Sequence, residues 1–403
     1  MLKEWIWLAT RKGMKPNTIC ELLEYFGTPE RVYYAPPHFY EEVSALSPRM
    51  RESLSDKSMD QVERILEACE RLNLRVMTYG DGDYPQRLRE LADPPIVLYI
   101  RGRTIQFDQE PVIGVVGTRT PSQYGQRVAT QLGYGISKSG GLLVSGMAQG
   151  IDAAALKGAL QSGRPVVSIL AGGVDLPYPR QNTELYHDVA AVGAIISERP
   201  PGTPHLGEYF PIRNRIISGL SLGVVAVECR RHSGTMRTIE HALEQNRDVF
   251  AVPGNIDSQN SEGPNWLLRQ GARPITGYGD ILEEYWSYFP QKLQTMSPMN
   301  QQVLQKRIEA VLEKQEKTQN IQPPEPKPEP QAQKTLPNEE SLGLTEQERH
   351  VLAIIREKKR GCEPDELVEW AQIPVRQILS ILSVLQIYGL IEEQPGKRFK
   401  AQS

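Results

Sequence analysis

The sequence lacks the motifs that mark common phosphate-processing and hydrolytic enzymes. It has no GxxxxGK[ST] phosphate loop, no GxGxxG turn after a strand and no HExxH, which argues against an engine that hydrolyses phosphates. Cysteine is scarce. Cys20, Cys69, Cys229 and Cys362 stand far apart with no CxxC pair, so neither a disulfide framework nor a zinc site is expected, and a reducing compartment suits them. No apolar run approaches the ~18–20 residues of a membrane span, and the N-terminus has neither the apolar core nor the small-residue cleavage site of a signal peptide. The expectation is a cytoplasmic protein without a membrane partner. An excess of one charge is missing too: 46 Lys and Arg oppose 49 Asp and Glu, for a net −3. A polyanion site must therefore be a local concentration of arginine or lysine.

What is present is a recurrence of short β-branched runs, each ending in a glycine turn or polar loop. VIGVV at 112–116 runs into Gly117-Thr118-Arg119, LLV at 142–144 into Ser145-Gly146, VVSIL at 166–170 into Gly172-Gly173, VVAV at 224–227 into Glu228-Cys229, and VFAV at 249–252 into Pro253-Gly254. Helical patterns separate them, which is the spacing of βαβ units and predicts an α/β fold with a parallel sheet. The loops then share the carboxyl edge, where open α/β sheets bind ligands. Glycines there let backbone amides approach an anion, and helices starting at that edge add positive dipole ends.

With 403 residues and 39% hydrophobic content, the chain can bury several cores. Residues 1–75 predict a small helical domain, with apolar spacing at Ile19, Leu22, Leu23 and Phe26 and again at Val62, Ile65, Leu66 and Cys69. The α/β domain is expected over 76–290. Residues 291–343 predict a solvated helix, with Val303, Leu304, Ile308, Val311 and Leu312 at helical spacing, and then a linker carrying six prolines between Pro323 and Pro337. Residues 344–403 resume as helices at 345–358, 363–371 and 375–388 and a hairpin around Pro395-Gly396, a winged-helix pattern. That last unit is nearly charge-balanced, which favours an accessory or protein-contact module over a strong duplex binder.

Each candidate motif has a structural reading beside a functional one. Gly117-Thr118-Arg119 is either a tight turn or a fixed guanidinium beside backbone donors, suited to phosphate. The loop Ser145-Gly146-Met147-Ala148-Gln149-Gly150 offers amides to an anion, while Asp152 fits better as a helix cap or orienting residue. Phe210, Arg213, Asn214 and Arg215 form the densest signal, arginines beside an aromatic face being what single-stranded nucleic acid requires; the plain alternative is a core phenylalanine with surface arginines. Ser233-Gly234-Thr235 opens a helix and reads as an anion site or an ordinary cap. Of the histidines, His205, His232 and His241 fall near these loops as incidental polar residues, and Glu228 and Glu240 keep an enzymatic alternative open.

In order along roughly 84–285, the strings ADPPIVLYIRG, VVGTRTPSQYG, VSGMAQGIDAAALKGAL, GGVDLPYP, SERPPGTP, FPIRNRIISGLSLGVVAVE, SGTMRT and VFAVPGNID resemble the DNA-processing protein A family (DprA/Smf). The resemblance implies an extended Rossmann-like parallel sheet domain, flanked by an N-terminal small helical domain and a C-terminal winged-helix domain. It further implies a homodimer that binds single-stranded DNA and helps load the RecA recombinase in natural transformation, without cofactor, metal or enzymatic turnover. On that resemblance the DNA site takes Arg119 of the GTR motif, Ser145 and Gly146 of the serine-glycine loop, and Phe210, Arg213 and Arg215. Gly117, Thr118, Met147, Gln149, Asn214, Ser233, Gly234 and Thr235 complete the candidate set. Many relatives have a basic residue where this chain has Gln149, and some have one near Gly207, which implies fewer phosphate contacts. The rival is a nucleotide- or nucleoside-processing enzyme of the lysine-decarboxylase-like Rossmann group. Those proteins carry P-G-G-x-G-T-x-x-E in one piece, whereas Gly172-Gly173 and Gly234-Thr235 are separate here.

Overall fold

The computed structural model describes residues 1–293, 345–358, 361–387, 390–394 and 398–401. They belong to two compact units, one holding residues 1–293 and the other the residues from 345 onward. The helix expected at 299–318 and the proline-rich linker at 322–338 lie outside the described residues.

Nine strands form the sheet of the first unit: β1 (Arg75–Thr78), β2 (Val97–Gly102), β3 (Val112–Val116), β4 (Leu142–Ser145), β5 (Val166–Ile169), β6 (Ala194–Ser197), β7 (Gly223–Ala226), β8 (Asp248–Ala251) and β9 (Arg273–Pro274). Their order is β1-β2-β6-β5-β4-β3-β7-β8-β9. The five runs read from the sequence are β3, β4, β5, β7 and β8. The sheet is parallel from β6 to β9. It is mixed at the other edge, where β2 pairs antiparallel with both β1 and β6. Strands β1 and β2 precede the first βαβ crossover, so no helix obliges them to run parallel.

Period-two alternation sorts the strand side chains onto two faces. Ile113, Val115, Leu143, Ile195, Val225 and Phe250 join one core, and Val112, Val116, Val144, Ile196, Val224 and Ala251 join the other. On the first face lie helices Gln123–Lys138, Ile151–Gln161 and Thr183–Val192, through Leu132, Ile136, Leu156 and Val189. On the second lie helices Tyr209–Leu220, Gly234–Glu244 and Glu262–Arg269, through Ile216, Leu220, Ile239 and Leu267. The chain builds outward from β3 through β4, β5 and β6, then crosses to β7 on the opposite side of β3. This reversal opens a crevice at the carboxyl ends beside β3, the switch point where doubly wound sheets take ligands.

The N-terminal helices Leu2–Ala9, Pro16–Phe26, Pro29–Tyr34, Pro48–Ser55 and Asp60–Arg71 follow sequence logic closely. Three begin with proline in the first turn, where no amide is needed, and Thr28 and Ser47 cap two of those three. Trp5, Trp7, Leu22 and Val62 are buried in the same core as Ile113 and Val115. In the second unit, helices Glu346–Glu357, Pro364–Ala371 and Val375–Ile387 precede an antiparallel hairpin of β10 (Ile391–Gln394) and β11 (Arg398–Ala401). Cys362 bridges to Phe399 beside that hairpin, and Leu352, Leu367, Ile378 and Leu385 fill the core, giving a winged helix.

Helices Gln123–Lys138 and Ile151–Gln161 cross with glycine on each side of the contact. A Cβ on Gly133 would collide with the Ala155 carbonyl, and one on Gly158 with the Thr130 carbonyl. Because the obstacle is backbone in both cases, Gly133→Ala is expected to destabilise the first unit by about 1–3 kcal/mol, as overpacking does. Thermal unfolding checks this, and an unchanged midpoint would show that the two helices separate freely.

Candidate nucleic-acid interface

A cleft of about 830 Å³ opens at the switch point. Its walls come from the segments that follow β3, β4, β5, β6, β7 and β8, including the starts of helices Tyr209–Leu220 and Gly234–Glu244.

The loop after β3 carries Arg119 and is held from behind by Glu228. Ser122 donates to that buried carboxylate twice, from its amide at 2.9 Å and its Oγ at 2.5 Å. The Thr118 amide donates to the Glu228 carbonyl at 2.6 Å. Ser122 also caps helix Gln123–Lys138 through the Gly125 amide at 3.0 Å. Glu228 is thus an anchor for the arginine loop. Arg119 itself is exposed, and its guanidinium lies 5.5 Å from the centroid of the Phe210 ring, within cation–π range.

Arg213 forms the floor. It is buried, and its Nη1 donates to the carbonyl of Gly146 at 2.9 Å and to that of Ile169. These carbonyls end β4 and β5, so the guanidinium caps the negative ends of two strands. Burial lowers its pKa to about 10, against the pull of Asp152, and it remains charged at neutral pH. Asp152 is buried too; burial raises its pKa while Arg213 opposes the rise. Its Oδ2 accepts from the Gly146 amide at 3.1 Å. Glycine at 146 leaves room for the Arg213 guanidinium, since a Cβ there would sit 2.7–2.9 Å from its atoms and displace it.

An aromatic wall rises beside these arginines. Phe210 lies 5.4 Å from Tyr178, and Tyr178 stacks on His205 at 4.8 Å and 22°. The Gly172 amide donates to His205 Nδ1 at 3.0 Å, so Nε2 carries the proton and donates to the Leu176 carbonyl at 2.8 Å. With both nitrogens engaged and burial lowering its pKa, His205 is a neutral strut under Tyr178. The opposite side adds Arg230, Arg237 and Asn260. There helix Gly234–Glu244 begins without a side-chain cap from Ser233, leaving first-turn amides open at the cleft. Among the described residues, Arg119, Arg230 and Arg237 form no ion pair with a carboxylate. The cleft presents four arginines against Asp152, which lies behind Arg213.

Of the residues expected from the sequence, Gly117, Thr118, Arg119, Phe210, Arg213, Asn214, Ser233, Gly234 and Thr235 meet around this cleft. The others do not line it. Ser145 is buried and its Oγ donates to the Val115 carbonyl at 2.7 Å. The Gly146 amide is taken by Asp152 and so is not held out to an anion, while Ala148 of the same loop reaches the cleft. Met147 adopts a positive φ of 62° with its side chain in the core. Gln149 is exposed and is not among the lining residues, although its neighbour Ala148 is. Arg215 is 2% exposed, bound to Asp93 at 2.8 Å and Glu198 at 2.6 Å. That pairing ties helix Tyr209–Leu220 to the segments before β2 and after β6. Asp152 takes the orienting role expected of it. Tyr178, Arg230, Arg237 and Asn260 were not singled out by sequence. The usable signal was positional, since Tyr178 and Arg230 follow the carboxyl ends of β5 and β7, and Arg237 lies in the first turn of a helix starting at that edge.

A family model described as DNA recombination-mediator protein A matches residues 75–286, and a DprA winged helix domain model matches residues 323–397. The chain is 30% identical to Protein Smf of Synechocystis, over 98% of each chain. It is 38% identical to DNA processing protein DprA of Bacillus subtilis, over 56% of this chain and 75% of that one. Among solved structures, DNA processing protein A from Streptococcus pneumoniae aligns with a TM-score of 0.63 at 30% identity, covering 70% of this chain and 98% of that one.

Two expectations follow from the geometry. Arg215→Ala strands Asp93 and Glu198, and because Asp93 is half exposed the loss should fall at the lower end of a broken buried pair, about 3 kcal/mol; thermal unfolding reads it. His205 has a folded-state pKa below its ordinary 6.5, so the unfolded chain binds its proton more readily. Its contribution to stability is full above that value and is lost as pH falls through the folded-state pKa. His205→Gln should flatten this part of the stability–pH curve, and a slope unchanged by the substitution would assign it to another group.

Proposed function

Because the chain belongs to the DNA recombination-mediator protein A family, we propose that it binds single-stranded DNA in the arginine-lined cleft and mediates recombination without chemical turnover. In this reading it acts as a homodimer that protects incoming strands and helps load the RecA recombinase in natural transformation. One observation carries the assignment: Arg119 and Arg213 flank the Phe210 ring at 5.5 and 5.9 Å, with Tyr178 against the same ring. Guanidinium forks suit phosphate oxygens, and an aromatic face suits any unpaired base. The open amides of helix Gly234–Glu244 add donors for the backbone.

Binding is favoured over catalysis by the state of the acid–base groups. Glu228 is engaged with Ser122, Asp152 with Gly146, and His205 with Gly172 and Leu176. Among the described residues no group of three or more His, Cys, Asp or Glu side chains could hold a metal ion. No helix among them is long and apolar enough to cross a membrane.

Fluorescence anisotropy with labelled oligonucleotides tests the reading. Single strands are expected to bind better than blunt duplex, with affinity falling steeply as salt rises. Arg119→Ala should cost about 1.5–3 kcal/mol of binding and reduce the log–log salt slope by about 0.7, the share of one phosphate on a single strand. A flat salt response, or equal affinity for blunt duplex, would overturn the assignment. Nucleotide hydrolysis lost in Glu228→Gln would favour the enzyme.

A further inference from the structure

A second cleft, of about 790 Å³, adjoins the first across the start of helix Gly234–Glu244. The two share Pro211, Ser233, Gly234 and Arg237. At their boundary the Asn214 side chain donates to the Gly234 carbonyl at 3.4 Å, tying the two helices together. Beyond the shared residues the second cleft presents Arg231, whose guanidinium lies 5.1 Å from the Trp266 ring centroid. It also presents His232 and Ile212, the latter 41% exposed. Its carboxylates are Asp93, engaged by Arg215 at 2.8 Å, and Glu240, one turn beyond Arg237. His241 faces Glu244 at 3.4 Å. Arg231 and Arg237 therefore stand against Glu240.

We propose that a bound single strand continues from the first cleft past Arg237 into the second, where Arg231 takes a backbone phosphate and Ile212 offers an apolar contact to a base. The inference rests on the single-strand reading of the first cleft. A polymer that leaves one cleft must cross the residues shared with the next, and Arg237 reaches both. Arg231 is held in place over Trp266 and has its donors available for a phosphate fork.

The test is anisotropy on the full chain with oligothymidylates of about 4 and about 16 nucleotides, the range of a single-strand site. The wild type should bind the longer strand more tightly. Arg231→Ala is expected to change short-strand affinity by less than about two-fold, to weaken the long strand by about ten-fold and to lower its salt slope by about 0.7. Ile212→Glu, a surface change, should show the same length dependence. Glu240→Gln should strengthen the long strand alone, a gain that misfolding does not produce. Variants that leave long-strand affinity unchanged, or shift both lengths alike, overturn the proposal. Short-strand binding with no gain from length overturns the second cleft alone, whereas a wild type that binds neither strand overturns the single-strand reading and this inference with it.

Discussion

The burial of one arginine charge at the carboxyl ends of β4 and β5 sets the geometry of the site. A guanidinium in the protein interior requires acceptors, and Arg213 finds them in the carbonyls of Gly146 and Ile169 and a compensating charge in Asp152. Three further features follow. A side chain at 146 would displace the guanidinium, the Gly146 amide turns inward to Asp152, and helix Tyr209–Leu220 must lie close over the strand ends. Phe210, one turn earlier on that helix, is thereby brought under Arg119. The shape of the cleft is thus a consequence of how the buried cation is satisfied.

Arg213 and Arg215 look alike in sequence and differ completely in the fold. Residues two apart on a helix are separated by ~200° around its axis, so only one of them can face the cleft. Arg213 does. Arg215 points to the far side, between Asp93 and Glu198, and fastens the helix to its neighbours. Taking Phe210, Arg213 and Arg215 together as arginines beside an aromatic face concealed this division. Recognising the helix from the apolar positions Ile216, Ile217 and Leu220 would have revealed it, because 3.6-residue periodicity assigns faces as well as elements.

The same distinction explains what was legible elsewhere. Strands β3, β4, β5, β7 and β8 were visible because each is a β-branched run buried on both faces and closed by a turn or polar loop. Strand β6, AIIS, was not picked out: it has the same four-residue length as β4, β5, β7 and β8, but it leads into Glu198-Arg199-Pro200 without a glycine turn. The antiparallel edge depends on pairing between distant segments, which local pattern does not encode. At the site, Arg119 and Phe210 were legible from residue chemistry. Ser145, Gly146 and Met147 carry equally suggestive types, yet tertiary contacts turn their donors and side chains inward. A glycine-rich loop shows that backbone comes close to something; only the fold shows whether that neighbour is a ligand or the protein's own Arg213 and Asp152.

The arrangement favours an extended ligand over a compact one. Arg119, Arg230 and Arg237 line one open cleft without a carboxylate partner among the described residues, a set of available cations of the kind that a run of backbone phosphates takes. Catalysis would need a titratable group free to exchange a proton at a reacting atom, but the buried carboxylates and His205 are bonded to the scaffold. Each such bond fixes a wall of the cleft: Glu228 the arginine loop, Asp152 the floor, His205 the aromatic side. Groups that might have done chemistry are used to hold the cleft open in one shape, and a preorganised shape limits the entropy lost when a flexible single strand is ordered against it.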